Sequence, residues 1–124
     1  HLQVTHLSFK TDIDTLIQIE GEDQGYRIHI DGYSGTAGDS MSGDHSVNGS
    51  KFSTRDRNDE AKIAQKFKGG WWWGYRGSFS RLNGVYSTDP NAPYKEPIGV
   101  VWWYWIGNEY SLKSSTMTIR SKKF

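Results

Sequence analysis

The side chains that most often carry catalysis or bind metals are sparse in this sequence and poorly grouped. The 124 residues contain no cysteine, which excludes cysteine catalysis and thiolate metal sites. The four histidines lack the spacing of a zinc site: His1, His6, His29 and His45. Several carboxylates fall in turn-like segments without a paired nucleophile and base: Asp12, Asp14, Asp31 and Asp39. The sequence therefore predicts a protein that is not an enzyme.

Aromatic side chains are the chemistry that the sequence does concentrate. Three consecutive tryptophans, Trp71 to Trp73, lie between glycines in the stretch 69–77. A strand would carry indoles on both faces, whereas the flanking glycines permit positive φ and close backbone approach. This pattern predicts a tight, packed loop. A second aromatic run at 102–105 holds the other three of the six tryptophans.

The composition indicates one domain whose core depends on a few large side chains. Hydrophobic residues make up only 35% of the chain, while aromatic residues reach 15%. Basic residues do lie near the tryptophans, at Lys66, Lys68, Arg76 and Arg81. The formal net charge of +1 nevertheless argues against a nucleic-acid partner. We expect neither a membrane span nor a signal peptide, because no segment has the required apolar length.

Alternating apolar and polar residues predict strands at 2–9, 15–20, 26–31, 99–105 and 110–120. In the third strand, Tyr26, Ile28 and Ile30 are expected on one buried face. The segments 32–53 and 87–97 are rich in turn residues and predict long loops. The one helical indication is 59–67, where Ile63 and Phe67 are four residues apart. The pattern indicates an antiparallel meander with one face buried.

Several short motifs follow one another along the chain: DGYSGTAGDS at 31–40, KFSTRD at 51–56, GGWW at 69–72, LNGVY at 82–86, YSLK at 110–113 and MTIR at 117–120. Together they resemble the fibrinogen C-terminal domain family, which includes fibrinogen chains, ficolins, tachylectins, angiopoietins and angiopoietin-like proteins. The motifs cover most of the chain from Gly25 onward. The segment from Trp102 to Arg120 looks most like the angiopoietin branch.

The resemblance implies an α+β, mostly β fold, with a twisted antiparallel sheet and a loop-rich C-terminal subdomain. The family's domain is longer, so residues 1–124 resemble a partial single domain, and a complementing chain could supply the remainder. The family's disulfide beside the GGWW motif is missing, because its half-cystines would fall near Ile63 and near Arg76 or Gly77. We expect Ile63 to replace one half-cystine by simple packing.

The resemblance also implies a calcium loop directly after the FST motif. Oxygen donors remain there at Asp56, Asn58 and Asp59, which gives a degenerate set of calcium ligands. The loop is shortened before Ile63, and neighbouring Arg55 and Arg57 bring positive charge. The alternative is an exposed charged loop whose side chains pair with one another.

Beside that loop, family members form a pocket for acetyl groups, sugars or peptide ends. By position, its wall here would include Phe67, Trp73, Tyr75, Arg76 and Tyr94. Aromatic walls suit acetyl methyl groups and sugar faces, and an arginine can grip a carboxylate. The family's usual histidine is missing from this pocket. The alternative is that these aromatics form the core, as we expect of Trp71 and Trp72.

These features favour a secreted, non-catalytic recognition module that binds a glycan, an acetylated ligand or an extracellular protein through its loop-rich C-terminal half. The second hypothesis is a structural protein whose aromatic surface mediates oligomer or fibre formation. Asn48 begins a glycosylation sequon with Gly49 and Ser50, which matters only for a secreted chain. Apart from calcium, no cofactor is expected.

Overall fold

The structure, a computed structural model, describes residues 2–7, 13–43, 46–74, 77–89, 99–107 and 110–121. Within these ranges the regular elements are β1 (Leu2–Leu7), β2 (Ile13–Ile19), β3 (Ile28–Gly35), α1 (Ile63–Phe67), β4 (Ser80–Arg81), β5 (Val101–Trp102), α2 (Trp103–Ile106) and β6 (Met117–Ser121). The two helices have five and four residues. Neither of these described helices is long enough to cross a membrane.

Four strands form one antiparallel sheet in the order β3-β2-β1-β6. Val4 of β1 faces Thr15 of β2 on one side and Ile119 of β6 on the other. The last strand thus returns to pair with the first, and β6 and β3 are the two edge strands of the sheet. The predicted strands at 2–9 and 15–20 are confirmed: β1 covers all the described residues of the first, and β2 begins two residues and ends one residue earlier than predicted.

Strand β3 begins later and ends later than the sequence predicts. Tyr26 is not part of it, since its φ is 53° and its side chain is 44% exposed. A short 3-10 helix at Glu22–Gln24 ends at a left-handed Gly25, and the chain straightens only at Ile28. The strand then continues to Gly35 because β2 supplies a partner along that length. The predicted burial of Ile28 and Ile30 is confirmed.

The long loop after β3 covers the outer edge of that strand. The Ile28 N–H donates to the backbone carbonyl oxygen of Ser50 at 3.0 Å, and the Ile30 N–H donates to Asn48 Oδ1 at 2.9 Å. These bonds satisfy edge groups that would otherwise need water or another strand. Apolar residues of the loop also enter the core: Ala37, Met41 and Val47.

The tryptophan stretch forms a packed loop, as predicted. Trp71 is 1% exposed, and its backbone pairs with Ser53 in an isolated antiparallel bridge. Trp72 lies edge-on to Trp71, with ring centroids 5.2 Å apart, and donates its indole N–H to the backbone carbonyl oxygen of Tyr26 at 2.9 Å. The predicted core positions of Trp71 and Trp72 are confirmed. Ile63 packs partly buried against the same core.

The two predicted C-terminal strands are wrong over most of their length. Only Val101 and Trp102 pair with β4, after which the Trp103 N–H donates to the Phe79 oxygen and the chain turns into α2. The helix ends where the Gly107 N–H returns to the Trp103 oxygen at 2.7 Å. In the segment 110–116, the Leu112 N–H donates to the Val100 carbonyl oxygen, and the described residues of this segment show no other backbone bond to a neighbouring segment. The final strand is therefore limited to β6.

Candidate functional site

Two of the predicted ligand-binding residues meet in the structure. Phe67, at the end of α1, stacks on Trp73 with ring centroids 5.0 Å apart and planes 19° apart. The Trp73 indole N–H donates to the Gly69 oxygen at 3.0 Å, which fixes the ring. Trp73 is only 8% exposed, so here it serves the core more than an open pocket wall. The other three predicted residues, Tyr75, Arg76 and Tyr94, lie outside the described residues.

A buried arginine lies over the same phenylalanine ring. The guanidinium carbon of Arg81 is 4.8 Å from the Phe67 centroid, and the ammonium group of Lys66 is 5.5 Å from it. Burial lowers the pKa of Arg81 to about 10, so the side chain is still cationic at neutral pH. Both cations are attracted to the negative face of the ring, which holds the end of α1 in place.

The predicted calcium ligands are each oriented towards a different protein partner. Asp59 accepts the N–H of Ala64 at 2.8 Å through Oδ1 and the N–H of Gln65 at 3.0 Å through Oδ2, so it caps helix α1. Asp56 accepts the hydroxyl of Thr54 at 2.6 Å. Asn58 donates its side-chain amide to the Phe52 oxygen at 3.2 Å.

This arrangement does not fit a calcium ion shared by the three side chains. Calcium needs six to eight oxygens around one point, whereas both oxygens of Asp59 point at the helix. Among the described residues, no three His, Asp or Glu side chains come close enough to hold a metal. The Thr54 hydroxyl, assisted by Arg55 and Arg57, holds the pKa of Asp56 below its usual value. The calcium loop implied by the resemblance stays a prediction, and for these side chains we expect weak binding at most.

A second aromatic cluster, which the sequence analysis did not assign, is partly exposed to solvent. Phe79 stacks on Trp103 with centroids 5.0 Å apart and planes 15° apart, and Tyr104 meets Phe79 edge-on at 5.7 Å. Trp103 is 37% exposed and Tyr104 is 46% exposed. These three residues, Phe79, Trp103 and Tyr104, are called here the aromatic patch, and the rings of Trp103 and Tyr104 present apolar surface to solvent.

The DGYSGTAGDS loop holds the aromatic patch in position. The Tyr104 N–H donates to Ser40 Oγ at 3.0 Å, and the Trp102 indole N–H donates to the Gly38 oxygen at 2.8 Å. A methyl group at Gly38 would lie 2.6 Å from Tyr104 Cβ, so only glycine allows this approach. The aromatic run at 102–105 was the feature of the sequence that could have indicated this patch. Because a strand was predicted there, the run did not show which of its residues lie at the surface.

Comparison with known proteins places the chain in a family. A model of the C-terminal globular domain of fibrinogen beta and gamma chains matches residues 9–122. The chain therefore belongs to the fibrinogen C-terminal domain family. The mostly β, fibrinogen-like fold implied by the sequence motifs is confirmed.

Individual relatives agree with this membership. The chain is 42% identical to angiopoietin-2 of Rattus norvegicus over 109 residues, covering 86% of this chain and 21% of the relative. It is 43% identical to techylectin-5A of Tachypleus tridentatus over 109 residues, covering 86% of this chain and 35% of the relative. The chain thus spans between a fifth and about a third of these proteins.

Among solved structures, the fibrinogen-like globe domain of human ANGPTL2 superposes with a TM-score of 0.80 at 32% identity. That alignment covers 96% of this chain and 56% of the ANGPTL2 domain. The chain therefore spans a little more than half of this fibrinogen-like globe domain.

Proposed function

We propose that this chain is a non-catalytic, secreted recognition module that binds an extracellular protein partner through the aromatic patch. The angiopoietins and lectins among its relatives support recognition as the shared role of the family fold. The chain spans only part of those relatives, so its own ligand must be argued from its own surface.

The aromatic patch is the observation that carries the proposal. Tryptophan and tyrosine are enriched in protein interfaces, because they bury a large area with few rotatable bonds. Exposing Trp103 and Tyr104 to water gains nothing for the folded chain, and a partner that covered them would recover that apolar area. The rigid backbone bonds to Phe79 and Ser40 present the rings already ordered, which lowers the entropy lost on binding.

A cell-surface assay tests the proposal. The labelled chain is added to a panel of animal cells, and binding is measured before and after mild protease treatment or glycosidase treatment of the cells. We expect saturable binding that protease removes and that the double variant Trp103→Ala/Tyr104→Ala lowers at least tenfold, the effect of losing about 1.4 kcal/mol. Tyr86→Ala is the matched control, since Tyr86 is exposed but lies outside the patch.

The same assay separates a protein ligand from a glycan. If glycosidase treatment alone abolishes binding, the ligand is a glycan. Calorimetry with N-acetylated sugars would then test whether that glycan binds beside Phe67 and Trp73. Equal binding of the patch variant and the wild type would refute the assignment to the aromatic patch.

Self-assembly through the aromatic patch is the second candidate, because the same exposed rings could bury one another in a symmetric dimer. Sedimentation velocity at micromolar concentration distinguishes the two. A monomer that keeps its cell binding supports the recognition module, whereas an oligomer that the Trp103→Ala/Tyr104→Ala variant dissociates supports assembly.

A further inference from the structure

A cleft of about 470 Å³ lies between the turn after the FST motif and helix α1. Thr54, Arg55 and Asp56 line one side, and Gln65 and Lys68 line the other. The cleft volume falls within the range of about 300–1,000 Å³ that is typical of small-ligand sites. The cleft contains none of the residues of the aromatic patch.

The lining of the cleft is suited to an anion. Arg55 and Lys68 supply two cationic groups, and Gln65 adds an amide donor. The Thr54 hydroxyl donates to Asp56 and can therefore only accept a hydrogen bond from a ligand. The remaining surface comes from small residues, namely Ala64, Gly69 and Gly70. Among the described residues, no aromatic or large aliphatic side chain lines the cleft, so these residues would bind a ligand through charge and hydrogen bonds.

Protein donors engage the carboxylate oxygens of the two aspartates near the cleft. Asp56 accepts the Thr54 hydroxyl and is flanked by Arg55 and Arg57. Asp59 accepts two backbone N–H groups of α1. Segment 51–68 holds six of the chain's fifteen lysines and arginines against three acidic residues. The local field is therefore positive even though the whole chain is nearly neutral.

Both walls of the cleft are fixed by backbone bonds. The Thr54 N–H donates to the Arg57 carbonyl oxygen at 2.9 Å, and the Arg57 N–H donates to the Thr54 carbonyl oxygen at 3.0 Å. These two bonds close the turn that carries Arg55 and Asp56. On the other side, Asp59 caps the start of α1, and Lys68 ends the helix in a left-handed conformation with φ of 57°. A ligand would meet cations that are already held a fixed distance apart at their Cα atoms, which reduces the ordering cost of binding.

We propose that this cleft binds a sulfated saccharide, with Arg55 and Lys68 on sulfate groups and Thr54 and Gln65 on ring hydroxyls. The forked guanidinium group of Arg55 matches the geometry of sulfate oxygens, and Lys68 adds a point charge. An acidic peptide is less suited to the cleft, because its interface would need an apolar anchor pocket. This site is additional to the proposed partner surface and does not rest on it.

The test uses a heparin-derived octasaccharide and calorimetry in about 0.1 M salt, where the screening length is about 10 Å. We expect Arg55→Gln and Lys68→Gln each to weaken binding by about five- to tenfold, as charged hydrogen bonds are lost. Lys113→Gln is the matched control, because it removes the same charge from an exposed position outside the cleft. Its affinity should stay within about twofold of the wild type.

A gain of affinity gives the sharper readout. Asp56→Asn removes the one acidic group that lines the cleft and should strengthen octasaccharide binding about two- to threefold, which loss of structure cannot imitate. Melting curves confirm that each variant is folded. Equal weakening in Lys113→Gln, equal affinity for a desulfated octasaccharide or a glutamate peptide, or no binding by the wild type would each overturn the proposal.

Discussion

Ser53 and Trp71 exchange two backbone hydrogen bonds, of 2.9 Å from the Ser53 N–H and 3.2 Å from the Trp71 N–H. This bridge joins the FST motif to the GGWW motif, which are separated by about one-seventh of the chain. It places the Trp71 indole at the centre of the core and brings the turn at 54–56 beside helix α1. Because the chain has no cysteine, non-covalent contacts such as this bridge must stabilise the region around the GGWW motif without a disulfide.

Two substitutions at Trp71 should distinguish how much its buried volume stabilises the fold from how much its indole N–H does. Trp71→Ala should lower the free energy of unfolding by about 3–5 kcal/mol, since it empties a large buried site. Among the described residues Trp71 Nε1 has no hydrogen-bond partner, so Trp71→Phe should cost less, about 1–2 kcal/mol. Urea denaturation followed by circular dichroism measures both. Tyr86→Ala is the control, because Tyr86 is 62% exposed, and it should change stability by no more than about 0.5 kcal/mol.

Two glycines with nearly the same backbone should differ in their tolerance of alanine. Gly38 and Gly49 have φ of 79° and 80°, but only at Gly38 would a methyl group meet a neighbour, Tyr104 Cβ at 2.6 Å. Gly49→Ala should lower the free energy of unfolding by about 1 kcal/mol from backbone strain alone. Gly38→Ala should lower it by about 3 kcal/mol because the clash adds to the strain. Similar values for the two variants would mean that α2 moves freely away from the loop.

The Thr54 hydroxyl should set the titration of Asp56. The pKa of Asp56 is held below its ordinary value of 3.8, first by the hydrogen bond from Thr54. A carboxyl group with a lowered folded pKa stabilises the fold above its unfolded pKa and loses that contribution as the pH falls through the folded pKa. We expect Thr54→Val to raise the Asp56 midpoint measured by carbon NMR, and the exposed control Thr88→Val to leave it unchanged. An unmoved midpoint in Thr54→Val would assign the shift to the backbone N–H of Asp56 and the flanking arginines.

Calcium should have little effect on stability, because Asp59 is already bound to helix α1. At about 10 mM calcium, a site with a dissociation constant of about 1 mM would add about 1.4 kcal/mol and raise the melting midpoint by several degrees. We expect a rise of less than about 1 °C, measured by tryptophan fluorescence. Asp59→Ala without calcium should lower stability by about 1 kcal/mol, because the helix cap is lost. A rise of several degrees that Asp56→Asn abolishes would establish the calcium site instead.

The sequence by itself determined the family, the antiparallel sheet and the core role of the tryptophan loop. Alternation in strands 2–9 and 15–20 reports a local period, and Ile28 and Ile30 follow the same rule because one face of a strand is buried. The glycines around Trp71 likewise signal local geometry. These features depend on neighbours within a few residues, so they can be derived from the order of the amino acids.

Only the tertiary structure decided where the surface chemistry lies. The run at 102–105 would satisfy a strand, but contacts with Phe79 and Ser40, which are distant in sequence, turn Trp103 and Tyr104 outward. Asp59 could bind calcium by residue type, and the nearby backbone N–H groups of α1 take its oxygens instead. Arg55 and Lys68 become one cleft only when Ser53 pairs with Trp71. Each outcome depends on which distant groups compete for the same atoms, and that competition is settled by packing.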